Sequence, residues 1–92
     1  MKQRYHLILF IKNSGLKMSE FAARVFVSPS TLSQIVHGGQ DGTFLFWSVM
    51  AQQFNLTLKQ LVTLYEPSYT CEDIIADYEK EFKGYKYPEV TT

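Results

Sequence analysis

The segment from Ser28 to Gly39 reads Ser-Pro-Ser-Thr-Leu-Ser-Gln-Ile-Val-His-Gly-Gly, and both of its ends carry helix punctuation. Ser28 is a suitable cap, because its hydroxyl can accept from one of the N–H groups that a first helical turn leaves without a partner. Pro29 then falls at the first helical position, where a missing N–H costs nothing. Leu32, Ile35 and Val36 follow at helical spacing, and Gly38-Gly39 supply the left-handed conformation that commonly ends a helix.

The chain on either side divides into further helical pieces with few strand signals, so the fold class expected is all-α. A first helix runs from about Gln3 to Asn13 and stops before Ser14-Gly15, with Leu7, Phe10 and Ile11 on one face. Taken alone, Leu7 to Ile11 fits a buried strand equally, and the neighbouring pattern favours the helix. Met18 to Val25 places Phe21, Ala22 and Val25 on a narrow stripe. Thr43 caps Phe44 to Phe54, in which Phe44, Trp47, Met50, Ala51 and Phe54 follow the core spacing. Thr57 and Gln60 form a capping-box pair before a helix that Pro67 stops, with Leu58, Leu61, Val62 and Tyr65 as its buried stripe. Thr70 and Asp73 open a last helix to about Lys83, closed by Gly84, and Tyr85 to Thr92 reads as a loose tail.

At 92 residues there is room for one domain and a terminal appendage, and 46% hydrophobic residues suffice for a packed core. Nine basic residues cancel nine acidic ones, a balance that by itself speaks against nucleic acid. The cancellation is regional. Residues 1 to 65 carry six basic residues against two acidic, and residues 66 to 92 carry three lysines against seven acids. A basic body before an acidic end suits nucleic acid in one half and an interaction segment in the other; solvated faces that happen to differ give the same count. Cys71 stands alone and the two histidines are far apart, so no disulfide or metal cluster is expected, and a reducing, cytoplasmic home fits. The longest apolar run, Leu7 to Ile11, is far short of the roughly 18 residues of a membrane span, so no membrane partner is expected.

Two short helices joined by a tight turn around Phe26-Val27 are the parts of a helix-turn-helix. The stretch Gly15-Leu16-Lys17-Met18-Ser19-Glu20-Phe21-Ala22-Ala23-Arg24-Val25-Phe26-Val27, continuing through Ser28-Pro29-Ser30-Thr31-Leu32-Ser33-Gln34-Ile35-Val36-His37-Gly38, resembles the lambda-repressor-like helix-turn-helix family, the Xre/Cro group of bacterial and phage regulators. Thr43-Phe44 through Ala51 to Asn55-Leu56-Thr57-Leu58-Lys59-Gln60-Leu61 is similar to that family's fourth and fifth helices. The resemblance covers about residues 3 to 65. It implies a five-helix lambda-repressor-like DNA-binding domain over residues 1–66, here with an additional C-terminal helix and tail in 67–92.

The resemblance also implies that Pro29, Ser30 and Gln34 lie nearest the base edges of double-stranded DNA. By residue type, Gln34 can pair with adenine, Ser30 and Ser33 contact several bases with less discrimination, Thr31 shares the outer face, and Pro29 offers apolar contact. Phosphate contacts are expected from helix N-termini and N–H groups around Met18, Ser19, Ser28, Gly39, Gln40 and Thr43 with Phe44. Lys17 and His37 would add charge or hydrogen bonds. Each of these polar residues also fits a solvated or capping role, His37 as a helix C-terminal residue near the dipole. Lys17 stands where the family often has a Thr cap, Met18 where a Gln is frequent, and Phe26 where the turn favours Gly, which is tolerable if the turn avoids positive φ. Lys17 and Arg24 are balanced by Glu20 and Asp41, so DNA affinity would lean on Lys2, Arg4, Lys12 or a second subunit.

No nucleophile–base pair, carboxylate constellation or phosphate-cradling loop occurs at usable spacing, so neither an enzyme nor a cofactor is expected. Leu45, Phe46 and Val49 stand where the family exposes polar residues, and are either added core or a homodimer or protein-partner surface. Ile74, Ile75, Tyr78 and Phe82 give the last helix an apolar stripe among acids, suited to docking on the first helix or on another subunit. The function expected is a sequence-specific transcriptional regulator, a repressor acting as a dimer with residues 28–37 in the major groove. The alternative is a protein-interaction module on the same scaffold, an antirepressor or antitoxin-like partner.

Overall fold

Local capping chemistry sets the boundaries of most helices. The computed structural model describes residues 2–68 and 73–88, and contains α1 (Tyr5–Ser14), α2 (Met18–Arg24), α3 (Pro29–Val36), α4 (Phe44–Phe54), α5 (Leu58–Tyr65) and α6 (Ile74–Glu81). Ser28 Oγ accepts from Thr31 N at 3.1 Å and Thr43 Oγ1 from Phe46 N at 3.0 Å. Thr57 and Gln60 satisfy each other's N–H groups at 3.0 and 3.1 Å, a reciprocal capping box. α1 starts two residues later than the spacing suggests, because Gln3 exchanges backbone hydrogen bonds with Ser68 at 3.0 and 2.9 Å. Those groups tie the N-terminal strand-like segment to the end of α5.

α1 is the central element, contacting α3, α5 and α6, while α2 packs on α3 and α4 on α5. Phe10 lies at the middle of an aromatic cluster, 6.1 Å from Phe21 and 5.3 Å from Phe54 by ring centroids. Ala22 is fully buried on α2, the helix that packs on α3, where a small side chain permits close approach of the axes. Leu7, Leu32, Ile35, Met50 and Leu64 complete the same core.

The faces of α4 and α5 differ from those the spacing predicts. On α4 the inward residues are Phe46, Trp47, Met50 and Phe54, while Phe44 is 90% exposed and Ala51 half-buried. On α5 the buried residue is Leu64; Leu58, Val62 and Tyr65 face outward and Leu61 is half-buried. Both helices are apolar on more than one side, so periodicity alone does not say which side the core takes.

The C-terminal region is also corrected. α6 begins at Ile74 with Asp73 at its cap position and φ +60, so Asp73 is not the third residue of a capping box; Thr70 lies outside the described residues. Of the two placements expected for Ile74, Tyr78 and Phe82, on the first helix or on another subunit, the structure has the first, with all three buried within the chain; Phe46 is likewise core, and only Ile75 of the α6 set is exposed. The helix docks on α1, and His6 Nε2 meets Asp77 Oδ2 at 2.6 Å there. Nor is the segment after Gly84 loose as far as it is described. Tyr85 and Tyr87 lie 5.7 and 4.9 Å from Phe10, and their hydroxyls donate to the carbonyls of Phe54 and Phe10. Two large aromatic rings gain more from covering Phe10 than from water.

Phe26 does not avoid the left-handed region. Its φ is +60 and its ring is 75% exposed, so a side chain that favours neither the backbone conformation nor the solvent occupies the turn between α2 and α3. Phe26→Gly relieves that strain, and its expected effect is a gain of about 1 kcal/mol, seen as a rise in melting temperature of roughly 4 to 8 °C.

Candidate nucleic-acid interface

Burial of Leu32, Ile35 and Val36 turns the opposite edge of α3 to solvent. Pro29, Ser30, Gln34 and His37 are exposed there, with Thr31 and Ser33 half-buried. Several of these groups are already engaged. Ser28 Oγ donates to Thr31 Oγ1 at 2.9 Å while accepting from Thr31 N, so the cap engages the Ser28 hydroxyl as donor and acceptor and takes one acceptor lone pair of Thr31. His37 Nδ1 donates to Ser33 O at 2.8 Å and lies 3.3 Å from Ser33 Oγ. That contact puts a proton on Nδ1, so in the neutral ring the outward Nε2 is an acceptor, and only the protonated ring can donate to a phosphate.

Gln34 is the best-oriented polar group on this edge. Gln40 Nε2 donates to Gln34 Oε1 at 2.7 Å, and the Gln34 carbonyl accepts from Gly39 N at 2.8 Å and Gln40 N at 3.3 Å. One lone pair of Oε1 and the Nε2 hydrogens remain for a base edge, the donor–acceptor pair that adenine requires. Gly39 and Gln40, whose N–H groups are expected above to meet phosphate, direct those groups to the Gln34 backbone carbonyl, and the Gln40 side chain turns to Gln34 as well.

The loop after α3 is held from inside by Arg4. The side chain is fully buried, and its Nε donates to Tyr65 O at 2.7 Å. Nη1 donates to Ile35 O at 2.8 Å and Gln40 O at 3.0 Å, and Nη2 to Asp41 Oδ1 at 3.0 Å. The guanidinium lies 5.0 Å from the Tyr65 ring and 5.7 Å from that of Trp47, whose Nε1 donates to Asp41 O at 2.8 Å. Arg4 is therefore no phosphate-binding cation, contrary to the charge count, and no local signal distinguishes it from a solvated arginine. Beside it, Gly38 at φ +82 leaves no room for a side chain: a Cβ would lie 1.9 Å from Lys2 O. This approach brings exposed Lys2 to the C-terminal end of α3.

The remaining charge lies at the margins of the site. Lys17 is exposed at the cap of α2, where Glu20 Oε1 accepts from Lys17 N at 2.8 Å, and Lys12 is exposed at the end of α1. Arg24 lies 5.0 Å from the Phe54 ring, and Lys59 Nζ meets Glu81 at 3.7 Å. Ser19 is exposed on the first turn of α2, whereas the Met18 side chain packs partly on the core. At the N-terminus of α4 Thr43 is exposed, but exposed Phe44 and Leu45 follow it, so that end is an apolar edge.

The geometry can present a neutral donor–acceptor edge flanked by a few lysines. Among the described residues no helix is long and apolar enough to cross a membrane. No protein family matches the chain, and no curated protein or solved structure matches it either.

Proposed function

We propose that the protein is a sequence-specific, double-stranded-DNA-binding regulator of the lambda-repressor-like helix-turn-helix kind, acting as a dimer with α3 in the major groove. The observation that carries this reading is Gln34, held by Gln40 at 2.7 Å on an exposed helix edge, next to Ser30 and Pro29. Fixing the amide before binding lowers the entropy cost of a bidentate base contact. Lys2 and Lys17 supply phosphate contacts on either side. The simplest consequence of occupying an operator is repression by blocking a promoter.

Selection from random genomic fragments at low and moderate salt tests the reading. A two-fold symmetric site is expected, with half-sites about 34 Å apart or a multiple of that. Gln34→Ala should lose about 1 to 3 kcal/mol at the selected site, and Ser30→Ala less. With two lysines per subunit, log K should fall with log salt at a slope of about −3 to −4. Absence of enrichment even at low salt overturns the proposal. The protein-interaction reading is favoured by one observation, the exposed Phe44 and Leu45 on α4, and failure of DNA selection with stable capture of a protein would support it.

A further inference from the structure

We propose that the apolar face at the N-terminal end of α4 is a self-association surface, on which a second copy of this chain docks about a two-fold axis. The assignment rests on the dimer in the regulator reading and deepens it by naming the face. Phe44 and Leu45 are consecutive, 90% and 71% exposed, and each borders a groove. A groove of about 310 Å³ on one side is lined by Phe44, Trp47, Leu61, Val62 and Tyr65. On the other side a groove of about 260 Å³ runs between α4 and the α2–α3 turn, lined by Phe26, Val27, Leu45 and Val49. Projecting apolar side chains and the grooves that can receive them therefore meet at the same end of α4, which is what a two-fold contact needs.

Charge selects the second copy as occupant. From Val25 to Leu58 the chain carries one acidic residue, Asp41, and no Lys or Arg, and Asp41 is paired with Arg4 at 3.0 Å. In a two-fold contact every group meets its own copy or that copy's neighbours, so like charges on the face would oppose docking. The α4 part of the face, without them, accepts itself; on the α5 part Lys59 and Glu66 border the groove, and Lys59 is paired with Glu81 at 3.7 Å.

Area points the same way. The exposed parts of Phe26, Phe44 and Tyr65 amount to on the order of 400 Å², about half of the roughly 800 Å² that each partner of a stable pair buries. Leu45 and Val62 add to it, and exposed Ser48 and Gln52 continue the same side of α4 without charge. Ser48 is small, so two copies of α4 can approach to the usual 8 to 10 Å. Phe26 keeps an exposed ring at a φ where Gly would be unstrained, as a residue held for contact would. Ser30 and Gln34 line neither groove, so the dimer leaves the base-reading edge of α3 open; Thr43 lines the second groove and belongs to the dimer rather than to a phosphate.

Sedimentation equilibrium of the full chain without DNA, from about 1 to 200 μM, tests the face separately from DNA binding. The expected result is a dimer whose association weakens at least tenfold in Phe44→Glu and in Leu45→Glu. Both substitutions put an acid in the first turn of α4, where the helix dipole favours it, and circular dichroism should show both variants folded. In a Cys71→Ser background, Ser48→Cys should form an intermolecular disulfide under oxidation. A chain that stays monomeric throughout, or a dimer that both glutamates leave unchanged, overturns the proposal. Either result leaves the DNA reading to its own selection test.

Discussion

Replacing Arg4 with methionine should cost about 4 kcal/mol of folding stability. Exchanging both members of a buried ion pair for apolar groups can be neutral, because the desolvation cost of both disappears. That escape does not apply here. Three of the acceptors are the backbone carbonyls of Tyr65, Ile35 and Gln40, which stay behind, and each buried acceptor left without its donor costs about 1 to 3 kcal/mol. The Ile35 carbonyl is the most deeply buried of these acceptors, and Asp41, whose side chain is 75% exposed, contributes least. The loss is large against a total of roughly 5 to 15 kcal/mol. Arg4→Lys should recover only part of it, since one ammonium cannot reproduce the fork that reaches α3, α5 and the loop together. Urea unfolding of both variants checks this, with Lys12→Met, an exposed cation on the same helix, expected within about 0.5 kcal/mol of the parent. A wild-type midpoint for Arg4→Met would mean that Tyr65, Ile35 and Gln40 find other donors.

Arg4 also marks the limit of what is legible in the chain before folding. Helix ends were legible where three or four neighbouring residues decide them: Ser28 with Thr31, Thr43 with Phe46, Thr57 with Gln60. The outward edge of α3 followed from the inward spacing of Leu32 and Ile35. Partners of Arg4, by contrast, stand 31 to 61 residues away, and no window along the sequence contains them. The link from Gln40 to Gln34 likewise needs the reversal at Gly38. For α4 and α5 the difficulty was excess of signal. Phe44, Leu45, Phe46 and Trp47 are all apolar, so a 3.6-residue period fits more than one face, and packing against α1, α2 and α6 makes the choice. Whether Phe26 takes a positive φ is not decided by its neighbours along the chain; the strain is tolerated because both flanking helices are held by their own cores.

Ending the chain after Gly84 should lower the melting temperature by more than about 15 °C, a larger effect than any single substitution at the exposed edge of α3. The cut removes Tyr85 and Tyr87 from the aromatic cluster around Phe10 and uncovers Phe82, 5.6 Å from Tyr85. Loss of two half-buried rings costs on the order of 4 kcal/mol or more. Ionisation reports the same packing without deleting anything. Burial, reinforced by the neighbouring Tyr78 and partly offset by Arg24, pushes the Tyr85 hydroxyl up to about 12, and burial together with Tyr78 raises Tyr87 further. In the unfolded chain both ionise near 10. The folded state thus holds protons that the unfolded state has released, so stability is present in full below about pH 10 and is lost as pH rises toward 12 and beyond. Circular dichroism followed from pH 8 to 12 should show cooperative unfolding in that window. The double variant Tyr85→Phe and Tyr87→Phe keeps both rings while removing both titrating groups, and should stay folded further into alkali although it loses the hydrogen bonds to Phe54, Phe10 and Tyr78 at neutral pH. Parallel alkaline unfolding of variant and parent would place the sensitive group elsewhere and leave the truncation to be explained by packing alone.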